Sequence, residues 1–337
     1  MKKRIFITIA LVMLFVTSVL SKANDIFVLE LDSEKFANES INSFLNEDAK
    51  EEWIKKNNSL IEAVTKEIEN KINRKIDVKS SGNFIFCFIA TDLTDDEVDT
   101  IKNIEFIKSI SIENTHRKIN RNNIFRTMST NVNDEIHALQ LMGLDKSISD
   151  KYDGRGKVVA VIDGNFNPEH QIFKLDSGIE TKIKKSAVEK FYNDNPNKFK
   201  NTNLNELYIS DKVPFGYHYI NNNARLNPEK NPVGHGQHVS GIAVGNNALV
   251  NGKYKFRGVA PNAQLLTLNV FSNESTGSTF FLEALNDAVY FNADVVNMSF
   301  GATKATIKGY QNLIKDFNNL EIIQMEYLKD VVKYIFK

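Results

Sequence analysis

Three short, largely apolar runs govern what the C-terminal half of this chain can fold into: VVAVID (158–163), QLLTLNVF (264–271) and ADVVNMSF (293–300). A strand with apolar residues at successive positions, rather than at every second one, must be covered on both faces. Helical stretches separate the runs. Residues 235–244 open with glycine and small side chains, and residues 278–292 place Phe281, Leu282, Leu285, Ala288 and Val289 at helical spacing. Strands alternating with helices predict an α/β unit on a doubly wound parallel sheet. In such sheets chemistry gathers outside the carboxyl ends of the strands. Asp163 stands at one such end, and residues 297–301 close another.

The N-terminal half follows a different pattern. Residues 1–23 read as a signal peptide: Lys2, Lys3 and Arg4 precede an apolar run at 5–20, and Ser21 and Ala23 supply small residues at a cleavage position. The run is shorter than the roughly 20 residues of an ordinary span. The expectation is therefore a secreted or cell-envelope product with no stable membrane span. Residues 25–31 predict a strand, and residues 48–72 a helix carrying Leu60, Ile61, Val64, Ile68 and Ile72 on one face. Residues 75–79 and 83–90 predict a hairpin that turns at Ser80-Ser81-Gly82. Thr94 and Glu97 form a capping box ahead of Val98, Ile101 and Ile104, and residues 106–113 predict a last strand. The order β-α-β-β-α-β is that of a ferredoxin-like α+β unit, residues 24–118.

Residues 119–157 read as a polar linker and entry segment, with a short helix at 134–142. Residues 176–210, rich in Asn, Lys and Glu, read as a surface loop with a short helix near 186–192. Residues 310–337 read as one or two amphipathic helices. Lys plus Arg and Asp plus Glu both number 42. That balance argues against a strongly basic face for nucleic acid. The single cysteine, Cys87, excludes an intramolecular disulfide framework and is expected in the core.

Asp163 and His235 are the residues with chemistry to offer. An acyl-transfer site needs a hydroxyl nucleophile, a base to take its proton and a carboxylate to orient the base. Read alone, each residue has a plainer role. An aspartate after an apolar run caps many strand ends, and His235 with His238 at spacing three matches two metal ligands on one helical face. No third ligand accompanies them, so no metal is expected. His170 reads as structural or exposed.

Four blocks in fixed order narrow the choice: VVAVIDGNFNPEH (158–170), HGQHVSGIAVGN (235–246), RGVAPNAQLL (257–266) and ADVVNMSFG (293–301). With KVPFGYHYI (212–220) and the wide gap between Asp163 and His235, the chain resembles the subtilisin-like serine proteases, the subtilases. It is most similar in pattern to the lactocepin-type cell-envelope proteinases and their complement-cleaving relatives. The resemblance covers residues 158–301. It implies that Asp163 is the triad aspartate and His235 the general base. Ser299, Phe300 and Gly301 become the segment that pairs with an extended peptide or protein substrate. It also implies that the α+β unit is an inhibitory propeptide, able to bind a related subtilase. No cofactor is implied; calcium is common in the family, but no site for it can be identified here.

Three departures stand out. Gly164 and Asn165 follow Asp163 in the reverse of the usual small-residue-then-glycine order, though Asn tolerates left-handed backbone. Gln237 replaces the commoner threonine between the histidines. The third departure is the missing nucleophile: no serine follows Ser299, and residues 302–337 match neither the family's oxyanion asparagine nor its nucleophile block. The expectation is thus a truncated serine endopeptidase whose α/β unit is incomplete and inactive. The alternative is a non-enzymatic remnant whose propeptide inhibits a related protease or helps it fold. A sheet that stopped after 293–300 would leave apolar edges and fold poorly alone, whereas residues 24–113 would fold independently.

Overall fold

The computed structural model describes residues 25–40, 49–113, 115–117, 143–144, 151–226, 234–246, 248–250, 254–272, 275–299 and 321–324. The signal peptide expected at 1–23, the helix expected at 134–142, Phe300, Gly301 and most of the tail lie outside the described residues.

The α+β unit runs β1 (Asp25–Leu31), α1 (Ser33–Ala37), α2 (Lys50–Ile72), β2 (Val78–Asn83), β3 (Cys87–Leu93), α3 (Asp95–Ile101) and β4 (Ile107–Ile112). Its strands pair antiparallel in the order β2-β3-β1-β4. Side chains alternate across a strand, so β3 serves two cores. Cys87, Ile89 and Leu93 join Leu29, Leu60, Val64, Ile68 and Ile101 on one face. Phe86, Phe88 and Ala90 turn to the other, with Val28, Trp53 and Phe84. The hairpin expected at Ser80-Ser81-Gly82 is displaced: those residues lie within β2, and the turn falls at Phe84, Ile85 and Phe86. Aromatic residues occupy this turn because it is pressed against the second unit, leaving Phe84 only 2% exposed.

The chain continues through β5 (Thr115–Arg117), β6 (Val158–Asp163), α4 (Lys185–Asp194), α5 (Leu204–Leu207), β7 (Phe215–His218) and α6 (His235–Val244). Then come β8 (Ala248–Val250), β9 (Tyr254–Phe256), β10 (Gln264–Asn269), β11 (Ser275–Gly277), α7 (Ser278–Tyr290), β12 (Val295–Met298) and β13 (Glu321–Gln324). Five of these strands form a parallel sheet in the order β13-β12-β6-β10-β7. Every residue of the central β6 is buried, as a two-faced strand requires.

Two sequence expectations are corrected. The helix expected near 186–192 is present as α4, but residues 176–210 are not a surface loop, since Ile183, Val188, Phe191, Phe199 and Leu207 are buried in the main core. Their apolar residues are too widely spaced among polar ones to reveal this as a periodicity. In the tail, Glu321–Gln324 is a strand paired with β12, where a helical reading had no strand at all.

The two units meet along α7. Glu113 accepts from the Thr279 main-chain N–H and hydroxyl in its first turn. In its middle, Asn286 grips the Phe86 main chain from both sides, Oδ1 accepting from N at 2.8 Å and Nδ2 donating to O at 3.0 Å. At its far end Lys50 donates to Tyr290 O at 2.8 Å. The α+β unit thus presents an acid to the positive end of the helix dipole and a cation to the negative end.

Candidate active site

Asp163 is the last residue of β6, fully buried, level with Asn269 on the neighbouring β10. The chain must then turn sharply. Gly164 N donates to Asp163 Oδ1 at 2.7 Å, and Asn165 adopts a left-handed φ of 61°. The reversed Gly-Asn order therefore preserves the turn, because Asn enters that region at low cost.

Helix α6 begins at His235 and abuts this turn. Gly236 N donates to Gly164 O at 2.8 Å. A Cβ on Gly234 would lie 1.8 Å from Asn165 O, so only glycine allows the helix start to come so close. Gln237 Oε1 accepts from Asn167 N at 2.9 Å, tying the helix to the loop a second time. Sequence reading found the unusual residue at 237 and missed this role; only the folded loop reveals the N–H it serves.

These contacts deliver the imidazole to the carboxylate. His235 Nδ1 lies 2.7 Å and 2.9 Å from the two oxygens of Asp163. The aspartate is completely buried and the histidine side chain is 24% exposed. A carboxylate in this position can accept a proton held on Nδ1, which leaves Nε2 to accept one. The buried group orients, and the partly open group can meet a reactant.

The other predicted residues are placed as follows. Ser299 is buried and donates to Asn297 Oδ1 at 2.8 Å, while Phe300 and Gly301 lie outside the described residues. His170 Nδ1 accepts from Ile172 N at 3.3 Å. His238 is exposed on α6, and among the described residues no group of three or more His, Cys, Asp or Glu side chains is placed to hold a metal ion. A further element was not foreseen. The chain leaving the α+β unit forms β5, which pairs antiparallel with β11 just ahead of α7. The short Ser-Thr-Gly run of β11 carries no apolar pattern by which to find it.

The model of the subtilase family matches residues 154–330. This match runs past Gly301, the last residue of the motif blocks. The PI-type proteinase of Lactococcus lactis subsp. cremoris is 37% identical over 156 residues, 45% of this chain and 8% of that protein. The C5a peptidase of Streptococcus pyogenes serotype M3 is 32% identical over 152 residues, 44% of this chain and 12% of that protein. The chain thus matches only a small part of the length of these relatives. Among solved structures, the epidermin leader peptide processing serine protease of Staphylococcus aureus is similar with a TM-score of 0.46 and 15% identity, covering 82% of this chain and 50% of that one.

Proposed function

Because the chain belongs to the subtilase family, we propose that Asp163 and His235 are the acid–base half of an Asp–His–Ser site for peptide-bond hydrolysis. The carrying observation is the buried Asp163 carboxylate against His235 Nδ1 at 2.7 Å, at the end of a central parallel strand. In this reading His235 Nε2 takes the nucleophile's proton as the hydroxyl attacks a peptide carbonyl, and returns it to the leaving amine. Asp163 holds the imidazole tautomer and stabilises the imidazolium. The α+β unit acts as an inhibitory propeptide, its β5 strand lying on β11 as an extended peptide would in strand addition. Residues 1–23 direct the product out of the cell, to the medium or the envelope.

Within the 337 residues no serine follows Ser299, and the Ser299 hydroxyl is turned to Asn297. Loss of the nucleophile in a subtilisin costs about 10⁶ in kcat. The purified 337-residue chain is therefore expected to leave casein uncut. Cleavage that disappears in Asp163→Ala or His235→Ala would overturn the inactivity. The β5–β11 pairing also favours a second reading, in which the α+β unit inhibits a related subtilase or assists its folding. Adding the chain to an active subtilase should then slow it, and an unchanged rate at excess chain counts against this role.

A further inference from the structure

Midway along α7, beneath the α+β unit, lies a charge cluster that the hydrolytic site does not use. Glu283 and Asp287, one turn apart on the helix, are 7% and 3% exposed. Lys198, from the segment after α4, reaches Glu283 Oε1 at 3.0 Å and both Asp287 oxygens at 2.8 and 2.7 Å. Its ammonium sits among the rings of Phe191, Phe199, Tyr217 and Tyr219. The Tyr219 hydroxyl donates to Asp287 Oδ2 at 2.7 Å. From the α+β unit, β2 lies over this stretch of the helix, and Ser80 Oγ donates to Glu283 Oε2 at 2.7 Å. Among the described residues, then, the docked unit brings a hydroxyl to this pocket and no cation. Two carboxylates face one ammonium.

We propose that this pocket makes docking of the α+β unit proton-linked: β2 closes water out of a site with surplus negative charge, and the docked state takes up one proton to balance it. A buried charge without a matching partner is costly, and a carboxylate in that position gains a proton instead. The groups facing Asp287 are Glu283 on its own helix, Lys198, Tyr217 and Tyr219. Burial pushes the Asp287 carboxyl up to about 6, with the Lys198 charge opposing and the Glu283 charge adding. Burial works against the Lys198 ammonium too, yet the two carboxylates hold it above the ordinary lysine range. The sign follows from linkage. A carboxyl whose pKa is raised on docking strengthens docking at lower pH, and that contribution is lost as pH rises through about 6. Docking therefore tightens on mild acidification. The inference rests on the docked geometry and holds whether or not the unit inhibits a protease.

The Phe86 amide provides the readout, because it donates to Asn286 on α7 and loses that partner on undocking. Amide hydrogen exchange of the full chain, followed by NMR from pH 4 to 7.5, would compare Phe86 with amides inside the β1–β3 pairing. The expected result is a Phe86 protection factor, relative to those reference amides, that rises by up to about tenfold per pH unit as pH falls from 6 to 4. In Glu283→Gln one carboxylate faces one ammonium, and the rise should vanish. Asp287→Asn reaches the same charge balance by a second route should the first variant fail to fold. A flat wild-type ratio overturns the proposal without any variant, and so does a slope that survives in either substitution.

Discussion

Lys212 has 2% of its surface exposed, and its ammonium donates to the main-chain oxygens of Pro261 and Ala263. Burial lowers its pKa to about 7, with Asp176 opposing weakly from a distance. An unfolded lysine keeps its proton to about pH 10.4. Between those values the unfolded chain binds more protons than the folded one, so stability from this residue rises with pH. Urea midpoints of wild type and Lys212→Met should diverge from pH 7 to 10, the wild type gaining up to about 1.4 kcal/mol per unit. Parallel profiles would mean the lysine keeps its charge in the fold. The single-residue features of the candidate site divide by how local their causes are. Asp163 after an apolar run, His235 before small residues and Asn165 in a left-handed turn are each dictated by near neighbours in sequence, and each was legible. The Gln237 contact with Asn167 joins two segments that lie far apart in the chain, so no local pattern encodes it.

Helix α3 shows how much an element's ends can reveal. The capping box read from Thr94 and Glu97 is present with both reciprocal bonds. The structure adds that Arg74 grips the same carboxylate, Nε to Oε1 at 2.6 Å and Nη2 to Oε2 at 2.8 Å. Arg74 holds the Glu97 pKa at about 2. A depressed carboxyl stabilises the fold above its unfolded value and loses that contribution as pH falls through its folded one. Glu97→Gln keeps a capping oxygen and drops the charge. With Arg74 about a third exposed, the cost at pH 7 should be about 1 kcal/mol. In chemical denaturation that difference should shrink between pH 4.5 and 2; a constant deficit would assign it to the cap alone. Elements with strong periodicity were legible in this way, and β1, β6 and α6 fall on the residues their patterns indicated. Those defined by distant partners were not. The Phe84–Phe86 turn is set by α7, the 176–210 segment by the aromatic core, and β13 by an open edge on β12. Each has an amphipathic or polar local sequence whose final state depends on what covers it.

The shape of the whole follows from a sheet with two employers. One face of β1 and β3 covers the α+β unit's own helices, and the other is continuous with the core of the α/β unit. The five-stranded parallel sheet continues with β13 beyond β12, past the residue at which the motif blocks end. What distinguishes the units is which core each residue depends on. The sole tryptophan, Trp53, is fully buried in the shared core, its indole N–H donating to Phe84 O at 2.9 Å. The sole cysteine, Cys87, lies in the private core, where burial pushes its thiol pKa far up and suppresses the reactive thiolate. The two side chains therefore report different events. The shared interface includes a pocket whose charge is imbalanced, whereas the private core groups apolar side chains under their own helices. Undocking should come first. In a urea titration at pH 7.5, Trp53 emission should shift at a lower midpoint than the onset of Cys87 alkylation, and the gap should narrow at pH 5 as the interface gains its proton. Coincident midpoints at both pH values would make the two units one cooperative block, with the private core unable to stand once the shared face is exposed.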